Sequence, residues 1–287
     1  MSAASSLPIL LGLFSAITVA AANFAIKRGG DVLTARMIMS IGMALTMVPF
    51  APFVPTPPVQ MWPAMAIAVA VHWLYQFAMV RALHRGGLSL VFPVMRGLSP
   101  VMTAVLAVAV LNEHLAPVSI IGLLVASAAL LVFALPGKAP LDQQRLDRSA
   151  LVWAVLTAAG IGLYSVVDAR VARAMPETAT FVVWLFLLDW IGVTAVTLWT
   201  RRGALLERIP PQLGAGLWGG IAGSLSYGAA IYAFTMTDAG LVTAMRETSV
   251  VFAALLGWLF LKEGFGVRRT AAAGTLAGGL VLMQFGG

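Results

Sequence analysis

Ten runs of about 20 mostly apolar residues, separated by short polar or proline-rich breaks, leave this chain one suitable solvent, lipid. The runs lie at 7–26, 32–50, 61–80, 88–111, 117–135, 150–170, 178–199, 213–235, 240–261 and 267–285. An α-helix crosses about 30 Å of hydrocarbon in about 20 residues, and each crossing must satisfy its own backbone hydrogen bonds. The expected fold is therefore an all-α membrane protein with ten transmembrane helices. Of 287 residues, 60% are hydrophobic and only 10% charged, whereas a soluble domain carries roughly a quarter of its residues as charges. Mean hydropathy is +0.94. Spans and links use up nearly the whole chain, which leaves no room for a soluble domain. The expected location is the plasma membrane of a bacterium (its inner membrane), with many passes.

Composition removes several function classes. Cysteine is absent, so disulfides, thiolate metal sites and cysteine nucleophiles are excluded. His72, His84 and His114 lack metal-ligand spacing. No metal, cofactor or catalytic residue is expected, and the chain does not read as an enzyme. The net charge of +7 invites a nucleic-acid partner, but the basic residues sit at span ends in ones and twos, as membrane anchors do. The expected partners are the lipid bilayer and a small-molecule substrate, with the protein a monomer or a homodimer. Val19-Ala20-Ala21-Ala22 resembles a signal-peptide cleavage site. However, the basic residues Lys27 and Arg28 follow the apolar run instead of preceding it, so an uncleaved first span is expected.

The breaks carry loop chemistry. Residues 51–63, APFVPTPPVQMWP, are too rich in proline to continue a helix. Residues 136–149, PGKAPLDQQRLDRS, form the most polar stretch and lie near the midpoint. The link at 201–212 holds Arg201, Arg202, Glu207, Arg208 and two prolines. The two halves repeat. Residues 90–114 read LVFPVMRGLSPVMTAVLAVAVLNEH, and residues 240–264 read GLVTAMRETSVVFAALLGWLFLKEG. One ungapped alignment pairs Arg96 with Arg246, Ser99 with Ser249 and Glu113 with Glu263. A weaker match sets AAANFAIKR at 20–28 against YSVVDARVAR at 164–173, pairing Asn23 with Asp168. The expected organisation is a first five-helix repeat at 1–137, a polar linker at 138–149 and a second repeat at 150–287. An odd number of spans turns the second copy over in the membrane, giving inverted repeats with a site between them near the midplane.

At these motifs the sequence resembles the drug/metabolite transporter superfamily, in its EamA-type ten-helix branch. The resemblance covers nearly the whole chain as two copies of a five-helix unit. It rests on Asn23 and Lys27 closing the first span, Leu111-Asn112-Glu113 and Leu261-Lys262-Glu263 closing the fourth and ninth, and the glycine-rich last span. FPVMRGLSP at 92–100, VDARVAR at 167–173, WLFLLD at 184–189 and AMRETS at 244–249 look like a subgroup associated with phosphonate utilisation. The resemblance implies export of amino acids or other small metabolites and names no cargo. One departure matters. Small four-helix multidrug exporters of that superfamily use a glutamate in the first helix, but here the span from Leu7 to Ile26 has no acid. That device for exporting hydrophobic cations is not expected.

Charge inside the bilayer costs roughly 2.5–3.5 kcal/mol per residue on insertion scales, so each such residue needs a reason. Arg96 lies roughly 13 Å into its span, near the midplane. Arg246 is slightly shallower, with Glu247 next to it. Asp189 sits midway along the seventh span, and Asp168 and Arg170 near the end of the sixth. Two readings stay open: internal pairing of arginines with acids, or contact with cargo or proton. On the second, Arg96, Arg246, Ser99, Ser249 and Glu247 bind substrate, while Asp189 or Asp168 carries a coupling proton. Asp189 could also pair with Arg96 or Arg246. His72, among Trp73, Tyr75 and Phe77, reads as packing or a hydrogen-bonded helix contact, with a proton relay as the rival reading. Tyr164, Tyr227 and Tyr232 fit a cavity wall or the interface equally well. Pro93 and Pro100 should kink or loosen the fourth span. Gly216, Gly219, Gly220 and Gly223, with Gly274 and Gly278, have spacing for close helix packing. Glu113 and Glu263 suggest a cap or gate contact.

The expected function is a secondary transporter, an exporter of amino acids or related anionic or zwitterionic metabolites, working by alternating access around a central cavity. No ATP-binding loop is recognisable, so an ion or substrate gradient must drive it. The alternatives are a lipid-acting protein, for which no surface nucleophile or metal cluster is found, and a scaffold, which has no use for matched buried arginines. Of the 18 Lys and Arg residues, all but four fall in links 1–2, 3–4, 5–6, 7–8 and 9–10; Arg170 and Arg173 lie on the other side and Arg96 and Arg246 within spans. The positive-inside rule then puts both termini outside the cytoplasm. The resemblance implies cytoplasmic termini.

Overall fold

The structure, a computed structural model, describes residues 3–27, 31–85, 88–134, 148–201, 203–252, 255 and 267–285. Among them there is no strand. The α-helices are α1 (Ala3–Lys27), α2 (Val32–Met47), α3 (Trp62–Arg85), α4 (Leu88–Leu111), α5 (Pro117–Ala134), α6 (Arg148–Ala174), α7 (Thr178–Thr200), α8 (Leu205–Phe234), α9 (Ala239–Glu247) and α10 (Val267–Phe285). The chain is an all-α membrane protein. Among the described residues, five helical stretches are long and apolar enough to cross a membrane, and Ser6–Ala22 and Pro117–Phe133 are shorter apolar helices.

Local chemistry sets the helix ends. The prolines of 51–63 break the path into two 3₁₀ turns, Val48–Phe53 and Val59–Met61, before α3 starts. α4 stays helical through Pro93 and Pro100. α8 starts at Leu205, eight residues before the expected 213, and runs through Pro210 and Pro211. A proline removes the bond to the carbonyl four residues back. Here those carbonyls belong to Leu206 and Glu207 in the exposed first turn, where water can serve them. The expected ninth span is helical over Ala239–Glu247 and again at residues 249–252 and 255, and a tight turn at Thr248 interrupts it; residues 256–261 lie outside the described residues. The N–H groups of Thr248 and Val251 each bond the carbonyl three residues back, of Met245 and Thr248, at 3.1 and 2.9 Å.

The chain divides into two compact units, Met1–Trp73 with Val167–Met236, and Leu74–Val166 with Thr237–Gly287. Each unit draws on both sequence halves, and α3 and α6 give one end to each. Helices five places apart in the chain pack on each other: α2 on α7 in the first unit, α4 on α9 and α5 on α10 in the second. Packing of counterparts is what duplication of a five-helix unit leads one to look for.

In the first unit α8 also lies against α1 and α2. A Cβ on Gly220 would stand 2.8 Å from the Gly42 Cα, so these two backbones nearly touch. Ser15 and Ser226 join α1 to α8 through their hydroxyls, 3.0 Å apart. At one end of the unit Asp31 caps α2 through Thr34 and accepts from Arg201 at 3.0 Å and Arg208 at 2.9 Å. Burial works to raise the Asp31 pKa, but the bonds from Arg208, Thr34 and Arg201 outweigh it and hold it lowered to about 2.

In the second unit the close crossing of α5 and α10 uses Gly122 and Gly279, where an added Cβ on Gly279 would stand 2.7 Å from the Gly122 carbonyl. Gly274 and Gly278 face away, with no described atom within 4 Å of a Cβ there. The packed face of α10 is Ala272, Leu276, Gly279 and Met283, which are buried. The expectation that Gly274 and Gly278 serve close packing is therefore corrected: Gly279 makes the close approach instead.

Candidate functional site

Two polar clusters are buried in the apolar helices, one in each unit. In the second unit, Glu247 ends α9. A helix C-terminus disfavours an anion, so this carboxylate needs compensation from elsewhere. It comes from α4. One terminal guanidinium nitrogen of Arg96 reaches both Glu247 oxygens at 3.1 Å, and the Ser99 hydroxyl donates to Oε1 at 3.0 Å. Ser99 sits one turn after Arg96, so helical spacing puts both on one face. Glu247 is 2% exposed, and the Arg96 side chain keeps 18%.

Arg246 precedes Glu247 and is half-buried. Tyr164 of α6 lies within electrostatic reach of Arg246, Tyr75, Arg96 and Glu247. Tyr75 of α3 packs against it with ring centroids 5.0 Å apart. The α3–α6 approach here is made possible by Gly160, where a Cβ would stand 3.2 Å from the Tyr75 Cα. The arrangement therefore holds two guanidiniums, a carboxylate, a hydroxyl and two phenols, beside the turn that interrupts the ninth span. Ser249 is buried two residues past Glu247.

In the first unit Asp168 of α6 has no exposed surface. Its Oδ2 accepts the Tyr227 hydroxyl of α8 at 2.5 Å and stands 2.8 Å from His72 Nε2 on α3. The His72 and Tyr227 rings meet edge to face, 5.4 Å apart. Asp168 Oδ1 is buried and receives no donor among the described residues. Of the readings expected for His72, the structure shows the hydrogen-bonded helix contact, with Asp168 as its partner. Asp189 of α7 is also buried, at 8% exposure, and its backbone carbonyl accepts the Trp73 indole N–H at 2.9 Å.

Of the expected site residues, the structure brings Arg96, Ser99 and Glu247 into direct contact, with Arg246 beside them. It joins Asp168 to His72 and Tyr227. Tyr75 was not singled out from sequence, and His72 and Tyr227 were weighed there without being assigned to the site. The signal available was three polar rings and an amide, His72, Tyr75, Gln76 and Trp73, crowded into one apolar span. Glu113 accepts the backbone N–H of Ala239, so it caps α9. Glu263 and Lys262 lie outside the described residues, as does the side chain of Asn23. A recess of about 240 Å³ in the first unit is lined by Trp62, Ala66, Val69, Trp73, Leu188 and Ile191, which suits an acyl chain better than a polar solute. Among the described residues no group of three or more histidines and acids comes together to hold a metal.

A family model described as "EamA-like transporter family" matches twice, over residues 6–135 and 148–285. No curated protein matches the chain. A solved structure described as "Crystal structure of protein" superposes with a TM-score of 0.75 at 18% identity, covering 96% of each chain. At that identity the likeness establishes the fold alone.

Proposed function

We propose that this chain, which belongs to the EamA-like transporter family and is thus a multi-pass membrane transporter of small molecules, is a gradient-driven exporter of anionic or zwitterionic metabolites such as amino acids. In this reading it works by alternating access between two inverted five-helix repeats. The supporting observation is the Arg96–Ser99–Glu247 cluster at the interrupted ninth span. Irregular backbone at membrane depth is tolerated only where protein buries it or water reaches it. A guanidinium beside a carboxylate matches the two ends of an amino acid in opposite sense. A cargo carboxylate would take the fork of Arg96 or Arg246. A cargo ammonium would take Glu247, with Tyr75 and Tyr164 as walls. Ser99 and Ser249 supply hydroxyls. The coupling proton would ride on Asp168 or Asp189.

The direct bond between Arg96 and Glu247 favours a second reading, in which the pair only holds α4 to α9. Binding of amino acids and phosphonates to purified protein separates the two. On the transport reading, Arg96→Lys keeps the charge but loses the fork, so affinity falls markedly while melting changes little. Full affinity in both Arg96→Lys and Arg246→Lys would leave the pair a structural one.

A further inference from the structure

We propose that the His72–Asp168–Tyr227 cluster is the proton-loading site of this transporter, taking up and releasing one proton in each cycle. The inference rests on the reading of the chain as a gradient-driven carrier, and it selects Asp168 over Asp189. Three helices, α3, α6 and α8, converge on one fully enclosed carboxylate oxygen, Asp168 Oδ2, 2.8 Å from His72 Nε2 and 2.5 Å from the Tyr227 hydroxyl. With the imidazole neutral, Nε2–H and the hydroxyl both donate to Oδ2, and the cluster carries one negative charge. A proton taken up from water by the imidazole makes an imidazolium–carboxylate pair of zero net charge, with Nε2–H still donating to Oδ2. Release of that proton to water reverses the step.

An enclosed carboxylate with neutral neighbours is costly in a low-dielectric interior, and a neutral pair is far less so. Enclosure therefore favours the loaded form and hydration the unloaded form. One proton is thereby tied to whether the site is closed or wet, the differential interaction that a ligand needs in order to shift a conformational equilibrium.

The elements packed here bring the following charged and titratable groups. α3 brings His72 and α8 brings Tyr227. α7 brings Asp189, which is buried and holds the neighbouring Trp73 through its carbonyl. On α6 itself Arg170 and Arg173 are exposed, and Arg173 Nε donates to the Phe234 carbonyl at 2.8 Å. Among the described residues no lysine or arginine bonds to Asp168, so His72 supplies its cationic partner.

The test uses the full chain and begins without cargo. Histidine-labelled protein is titrated by NMR, with the His72 signal assigned by its loss in His72→Gln. An adjacent carboxylate favours the imidazolium. Asp168→Asn should therefore lower the midpoint of His72 by about one pH unit or more. An unchanged midpoint overturns the proposal. The second arm uses vesicles and a labelled amino-acid mixture, and reads the ratio of accumulation with a pH gradient to accumulation without one. That ratio should exceed one in the unmodified protein and fall to one in Asp168→Asn. A ratio kept in Asp168→Asn, or lost only in Asp189→Asn, overturns the proposal. If Asp168→Asn does not insert, His72→Gln is read in its place: a lost ratio supports the site and a retained ratio refutes it. If the unmodified protein moves no amino acid, the cargo reading fails and the His72 titration alone decides on the site.

Discussion

The carboxylate of Glu113 receives the backbone N–H of Ala239 at 3.1 and 3.3 Å, so the residue that closes α4 caps the start of α9. Asp238 offers no side-chain cap of its own. An acid at a helix N-terminus satisfies an orphan donor and meets the positive end of the dipole. Glu113→Ala should lower stability by about 1 kcal/mol, as loss of a cap does elsewhere. Glu113→Gln, which keeps an acceptor and loses the charge, should cost less. Thermal melting of both variants in detergent checks the order; a Glu113→Gln variant as stable as the unmodified protein would mean that the charge contributes nothing.

Asp31 gives a pH dependence at the other unit. Its folded pKa of about 2 lies below the ordinary value of 3.8. The stabilisation is therefore complete above pH about 4 and is lost as pH falls through about 2. The melting temperature of Asp31→Asn should lie below that of the unmodified protein at neutral pH, and the gap should narrow between pH about 4 and about 2. Arg208 is 44% exposed, so added salt should shrink the same gap at neutral pH. A gap constant across acid and salt would remove the charge from the account.

Register on α10 can be tested directly. Gly279 meets the α5 backbone, whereas Gly278 meets no described atom. Gly279→Leu should force α5 and α10 apart and lower the melting temperature by several degrees or abolish insertion. Gly278→Leu should be tolerated. Similar behaviour of the two variants would contradict the packing described here.

Hydropathy made the spans legible, because lipid leaves few alternatives to a helix. α4, α7 and α10 match the expected runs within a residue. The errors have local causes. Pro210 and Pro211 read as a link, yet they fall where the first turn can give up bonds to water. The break at Thr248 carries no glycine or proline, and it shows only through its backbone bonds. Arg96, Ser99 and Glu247 were legible as costly polar groups in lipid. That Arg96 would choose Glu247 was not, because a partner 151 positions away is a property of packing. The Leu111-Asn112-Glu113 motif was visible without its mechanics. Asn112 takes a φ of 54°, which ends α4 and turns Glu113 toward α9. That the partner of His72 would be Asp168 was not legible, because one sequence does not say which side chains surround it.

Orientation follows from charge. Asp31 meets Arg201 and Arg208 in the first unit, so links 1–2 and 7–8 lie at the same end of it. Both belong to the basic side of the chain. The positive-inside rule predicts that this side is cytoplasmic and that the C-terminus lies outside. A C-terminal reporter that is active only in the cytoplasm should stay silent; a signal from it would reverse the assignment.

The Arg96–Glu247 pair predicts a sign that simple loss of contacts does not. Glu247 is 2% exposed and accepts from both Arg96 and Ser99. Arg96→Gln leaves that carboxylate buried with the hydroxyl of Ser99 but without its guanidinium, and Glu247→Gln leaves a guanidinium without its carboxylate. Breaking one side of a buried pair costs about 3–5 kcal/mol, whereas removing both charges often costs little. The double variant Arg96→Gln with Glu247→Gln should thus melt above either single variant. Ser99→Ala, which removes one donor and no charge, should cost about 1 kcal/mol. Melting curves of the four proteins decide it. Additive losses would mean that the two charges do not compensate each other in the folded protein, and the ion pair would then be too weak to hold α4 to α9.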